Sequence, residues 1–328
     1  MQIYIIIINL FIILRFNNQK YLSMCLKKSL FLFIGFLSLF VFNACSDEPS
    51  SEQKVSGIKV TLHDNSYNPL KINYQLDDLL QLPEFEAPDA YVLEKNFEVN
   101  DPINNRSWTY DIFLPPSYNE APDRKYPVLF LLHGINSKPL SWYKDMQIKK
   151  IIDYFHEYFN LEEMVVIMPY SENTYYVDNF QEDTKYESFF IENFVPYILS
   201  QYRIRENTGD HLIAGFSMGG YGCLSFALKY GDIFGFSYSM SGPIDGHGKT
   251  GTVESLIDLM DIQHLSNQII ILDVGLSDSF SPANVRAHNK LDELKYPHIF
   301  LLRQGKHDSQ FWTESSYILF TLLKDYLN

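Results

Sequence analysis

Beyond about Ser107 the chain alternates between short apolar runs and longer mixed segments. Val128–Leu132, Met164–Met168, His211–Ala214, Phe236–Met240, Ile269–Leu272 and His298–Leu302 are largely apolar. Such uninterrupted runs suit strands covered on both faces of a mostly parallel sheet. Trp108–Leu114 instead alternates apolar with polar positions and reads as an antiparallel strand. Between these runs, residues 148–159, 186–202, 220–230, 284–294 and 314–327 have the length and mixture of helices. Strands and helices in this succession predict an α/β fold with a central, mostly parallel sheet and helices on both faces. In such sheets the reactive groups sit in loops just past the carboxyl ends of strands.

The chain before that point is patterned differently. Lys27-Lys28 precedes a short apolar stretch, Ser29–Phe42, which has the build of a secretory signal and is too short to span a bilayer comfortably. Phe42-Asn43-Ala44-Cys45 resembles the lipobox of bacterial lipoproteins, in which the cysteine becomes the lipidated first residue, and Ser46-Asp47-Glu48 is similar to an acidic tag for display on the outer membrane. The expectation is a removed signal over residues 1–44, translated from Met24, and a Gram-negative surface lipoprotein held by Cys45. Residues 45–90 read as a tether. Ile58–Leu62 and Leu70–Tyr74 alternate like strands, while Pro69, Pro83 and Pro88 break any long helix, so this stretch is a small β element or an extended stalk. The globular part is expected over residues 91–328.

At 46% hydrophobic residues the chain can build a sizeable core. The first 44 residues hold four of the 26 basic residues and none of the 40 acidic ones, so the remainder is more acidic than the net charge of −14. Such a surface repels a phosphate backbone and argues against a nucleic-acid partner. Of three cysteines, Cys25 lies in the signal and Cys45 is assigned to lipid, which leaves Cys223 and no intramolecular disulfide framework. Cys223 sits in an apolar helical stretch and reads as a small buried hydrophobe.

The chemistry concentrates in three loops. Gly215-Phe216-Ser217-Met218-Gly219-Gly220 follows the strand His211–Ala214 and opens a helix, the context that lifts a serine oxygen clear of a sheet on a sharp turn. The rival reading, a phosphate loop, lacks the lysine it requires after its glycines. A serine hydroxyl needs a base, and in the order serine, acid, histidine that base belongs after the last strand, where Gly305-Lys306-His307 stands. His298, His288 and His247 are expected at the surface. Between serine and histidine, Asp273-Val274-Gly275-Leu276-Ser277-Asp278 offers two carboxylates; Asp278, beyond the strand, is the choice and Asp273 the reserve. Asp308 reads as a solvated loop residue. The amides of Met218 and Ile135 are expected to hold the oxyanion. His133 has no second histidine or carboxylate at ligand spacing, so neither metal nor cofactor is expected.

Tyr126–Gly134, Trp142, Val166–Pro169, Ala214–Gly222, Gly275–Asp278 and Gly305–His307 together resemble the esterase-D-like family of α/β hydrolases, which includes feruloyl and acetylxylan esterases, S-formylglutathione hydrolases and mycolyltransferases. The resemblance implies an α/β-hydrolase fold from about Ser107 onward, with Ser217, Asp278 and His307 as its triad. Asn136-Ser137-Lys138 departs from the family's glycine-rich stretch after the oxyanion residue. Formylglutathione is cytosolic, so an exported chain is expected to remove acetyl or feruloyl groups from polysaccharides, with Trp142, Tyr221 and Trp312 as candidates for the substrate cleft. The alternatives are an acyltransferase of the same fold and a noncatalytic, glycan-binding surface lipoprotein.

Overall fold

The computed structural model describes residues 89–181, 183–246, 250–252, 255, 257–258 and 268–328. The expected signal, Cys45, the strands at Ile58–Leu62 and Leu70–Tyr74, and His247 lie outside the described residues.

Among the described residues, eight strands form one sheet: β1 Val92–Asp101, β2 Arg106–Leu114, β3 Val128–Leu132, β4 Val165–Pro169, β5 His211–Phe216, β6 Phe236–Met240, β7 Ile269–Gly275 and β8 His298–Arg303. Their order across the sheet is β1-β2-β4-β3-β5-β6-β7-β8. The β1–β2 and β2–β4 pairs are antiparallel and every later pair is parallel.

The apolar runs are continuous because alternate residues serve opposite layers. In β3, Val128, Phe130 and Leu132 point into one core, and Leu129 and Leu131 into the other. In β7, Ile270, Leu272 and Val274 face the first core, and Ile269 and Ile271 the second. The first face is covered by the helical segment α3 (Tyr186–Phe189) and α4 (Val195–Gln201), and by α5 (Met218–Lys229) and α6 (Ser281–Glu293). The second is covered by α2 (Ile148–Phe159) and α7 (Ser309–Leu327), with the short α1 (Leu140–Lys144) beside them.

The boundaries have local causes. Phe190–Phe194, between α3 and α4, forms a π turn, so the helix expected over 186–202 carries a bulge that packs Phe190 flat against Phe226, centroids 4.7 Å apart. Helix α7 begins at Ser309 because Asp308 caps it, accepting the Phe311 N–H at 3.0 Å. A cap of this kind contributes about 1 kcal/mol, and it replaces the solvated role expected for Asp308. Strand β1 departs from the sequence expectation more fully. Six of its ten residues are exposed, it lies at the sheet edge, and its register shifts between Glu94 and Phe97.

Candidate active site

Ser217 lies between the last residue of β5 and the first of α5. Its backbone is held at φ 53°, ψ −121°, outside the regions an L-residue prefers. Glycines make the turn possible. A Cβ at Gly219 would stand 2.1 Å from the Leu132 carbonyl oxygen, and one at Gly215 would stand 2.2 Å from the Gly219 oxygen, so both positions require hydrogen. The Ser217 N–H donates to Met240 O of β6 at 2.9 Å, pinning the strained turn to its neighbour strand.

Two other loops bring their side chains to this serine. His307, past the end of β8, places Nε2 2.9 Å from Ser217 Oγ. Its Nδ1 lies 2.9 Å from Asp278 Oδ2, past the end of β7. The imidazole stands between Phe280 and Trp312, each edge-on at 5.0 Å between centroids, which leaves it little freedom to rotate. Burial raises the Asp278 carboxyl, but hydrogen bonds from His307 and from the Phe280 N–H outweigh it and hold the group below the usual carboxylate range. Asp278 is therefore ionised wherever an imidazolium would form beside it.

Asp273, the reserve acid, is committed elsewhere. It receives Arg303 Nε at 2.9 Å, Arg303 Nη2 at 3.1 Å and the Tyr238 hydroxyl at 2.8 Å, all in the interior. Arg303 signals this arrangement poorly in the sequence, because its partners sit on two other elements, Asp273 on β7 and Glu314 and Ser315 on α7.

The loop after β3 carries the expected oxyanion amide. Gly134 packs against Ser217 and its neighbour: a Cβ there would meet the Phe216 ring at 2.7 Å and Ser217 Cβ at 3.3 Å. His133 is fully buried, accepts the Ser171 N–H at Nε2 (3.1 Å) and places Nδ1 2.8 Å from Gly134 O. Burial lowers its pKa to about 4, so the ring is neutral with its proton on Nδ1. A peptide's C=O and N–H point opposite ways; fixing the Gly134 carbonyl on the ring thus turns the Ile135 N–H away from it. The next residue is tied across the loop, the Asn136 N–H donating to Asn173 Oδ1 at 2.7 Å. Met218 opens α5, where first-turn N–H groups have no acceptor within the helix.

The aromatic assignments need correction. Trp142 is fully buried and packs edge-on against Phe216, centroids 5.0 Å apart, so it supports the Ser217 turn from within the core instead of lining a cleft. Tyr221 is also fully buried, its hydroxyl donating to Gly251 O at 3.0 Å, and has no open face for a substrate. Trp312 is partly exposed and stands against His307 and Phe216. His288 and His298, expected at the surface, are buried. Cys223 is buried as expected, its thiol pushed up to about 12 by burial.

A sheet of this order, with serine at the β5–α5 turn, aspartate after β7 and histidine after β8, is that of an α/β hydrolase. A family model described as "Putative esterase" matches residues 102–309, and the chain belongs to that esterase family. Over 217 residues it is 26% identical to an esterase of Mycobacterium tuberculosis, the match covering 62% of this chain and 44% of the relative. The chain thus spans under half the length of that relative. It is also 26% identical, over 35% of its length and 44% of the relative's, to an acetyl esterase of Caldicellulosiruptor saccharolyticus. Among solved structures, a ferulic acid esterase superposes with a TM-score of 0.64 at 24% identity, covering 73% of this chain and 100% of the other. An S-formylglutathione hydrolase of Staphylococcus aureus gives 0.60 at 21%, covering 71% and 98%. Likenesses at this identity establish the fold.

Proposed function

We propose that this chain is a serine carboxylic-ester hydrolase that removes acetyl or feruloyl groups from polysaccharides through an acyl-enzyme on Ser217. The observation that carries the reading is the unbroken relay of Ser217 Oγ, His307 and Asp278, each step 2.9 Å. As Ser217 Oγ attacks the ester carbonyl, its proton passes to His307 Nε2, and the negative charge gathers on the carbonyl oxygen, facing the amides of Met218 and Ile135. Collapse breaks the ester bond, and the departing alcohol takes the proton from His307. Water then attacks the acyl-enzyme by the same path, its proton going to His307 and on to the Ser217 oxygen as the acid leaves.

The substrate class is supported by the rim of the site and by the company the chain keeps. Ile135 and Leu276 are 41% and 46% exposed on the loops that bear the oxyanion amide and Asp278, and offer apolar surface to an aromatic or short aliphatic acyl group. One relative, at 25% identity over 41% of this chain and 19% of its own length, is an endo-1,4-beta-xylanase/feruloyl esterase of Xylanibacter ruminicola. We place the enzyme on the outer membrane through Cys45, on the strength of residues Lys27 to Glu48.

Turnover of an aryl acetate, methyl ferulate and acetylated xylan, each with Ser217→Ala as the blank, tests the proposal. Release of acetate or ferulate is expected from the wild-type chain, with Ser217→Ala at background. Hydrolysis that persists in the variant overturns the reading.

A further inference from the structure

At the amino-terminal edge of the sheet, opposite the one that carries Ser217, three metal-binding side chains converge. His288 lies on α6, Asp292 follows one turn later on the same face, and His298 opens β8. His288 Nδ1 is 2.7 Å from His298 Nε2. The Asp292 carboxylate reaches within 3.6 Å of each ring, through Oδ2 to His288 Nε2 and Oδ1 to His298 Nε2. One ligand atom from each of the three residues lies within 4.8 Å of the others.

A second observation fixes how one ring is presented. His298 Nδ1 lies 2.8 Å from Tyr296 O, so its proton sits on that nitrogen and the Nε2 lone pair faces the cluster. A metal-bound imidazole is oriented by this same outer hydrogen bond. The His288 ring is stacked on Phe300, centroids 4.4 Å apart and planes 15° from parallel, which fixes its direction as well.

We propose that His288, Asp292 and His298 form a binding site for a divalent cation of borderline softness, with zinc as its probe. Two imidazole nitrogens and one carboxylate oxygen are a zinc donor set, and three protein ligands leave water the fourth tetrahedral position. Bonds of about 2.0–2.1 Å in that geometry separate the ligand atoms by about 3.3 Å. The 3.6 Å from Asp292 Oδ1 to His298 Nε2 is already close to this; His288 meets the ion through Nδ1, while its Nε2 stays beside Asp292 Oδ2. The ion takes the place of the proton between the rings, and the 2.7 Å nitrogen pair opens by roughly 0.6 Å to admit it. Bound there, it fastens α6 to β8. Helix α6 begins just after the Asp278 loop and β8 runs toward His307, so the clip ties together the far ends of the two elements that carry those loops.

The test uses the untagged full chain in equilibrium dialysis against zinc chloride, followed by elemental analysis and thermal unfolding. About one zinc per chain is expected, with a rise in Tm of roughly 5–10 °C at a hundredfold excess over the dissociation constant. His298→Gln and Asp292→Asn are expected to lose both effects, and His156→Gln, on α2, to keep them. Asp292 is 26% exposed at its side chain, so its variant keeps the test decisive if His298→Gln does not fold. Failure of the wild-type chain to retain zinc, or equal retention by Asp292→Asn, overturns the assignment.

Discussion

Asp278→Asn is expected to lower kcat about 10⁴-fold on any ester the chain hydrolyses, while the variant unfolds at nearly the wild-type temperature. An amide in that place is uncharged and presents a donor or an acceptor to His307 with equal ease. The ring then adopts the tautomer that cannot take the Ser217 proton, and the imidazolium loses its counter-charge. Asp273→Asn is expected to do the reverse. Its side chain bonds Arg303 and Tyr238 in the interior, so the variant loses stability and keeps kcat near wild type in the folded protein. Steady-state kinetics and thermal unfolding of the two variants side by side check this. A large kcat loss in Asp273→Asn with a mild one in Asp278→Asn would exchange their roles.

The second large effect concerns stability. Arg303 is 2% exposed at its side chain and bonds Asp273, Glu314 and Ser315, with its guanidinium 3.7 Å from the Phe311 ring centroid. Burial opposes its charge, but Asp273 more than compensates and raises its pKa. Arg303→Met removes that compensation and leaves the buried Asp273 carboxylate without its counter-charge, though still bonded by the Tyr238 hydroxyl. The expected cost is about 3–5 kcal/mol, read in denaturant melts as a lower midpoint. Adding Asp273→Asn to Arg303→Met removes the stranded charge and is expected to recover part of the loss, a coupling the double-mutant cycle measures. A loss below about 1 kcal/mol in Arg303→Met would contradict this account.

How much of this was legible in the chain follows from where its information lies. Strand β3 begins and ends where its apolar run does, because burial on both faces leaves no polar position to blur the ends, and β6 keeps its bounds as well, its two serines being small enough to be buried between larger apolar residues. Strand β1 is an edge strand with six exposed residues and a register shift, so it has neither the continuous run nor a clean alternation that would have announced it. The side chains of Ser217, Asp278 and His307 could be anticipated because strand order alone delivers three loop ends to one edge of the sheet. The aromatic residues could not be sorted the same way. In a chain with 25 phenylalanines and 23 tyrosines, nothing local separates a ring that faces a cleft from one that packs the Ser217 turn, as Trp142 does. Pairings such as Arg303 with Asp273, or His288 with His298, depend on which strands and helices become neighbours, and periodicity carries no trace of that.

The proposed reaction stands or falls with the Ser217 oxygen as a nucleophile activated by His307. A fluorophosphonate reacts only with a hydroxyl so activated, losing fluoride as the serine oxygen bonds to phosphorus. Peptide mass spectrometry of the labelled full chain reads the result directly. A single adduct on Ser217 is expected, absent from both Ser217→Ala and His307→Ala; an unlabelled Ser217 in folded wild-type protein, or equal labelling in His307→Ala, would overturn the proposed role of Ser217.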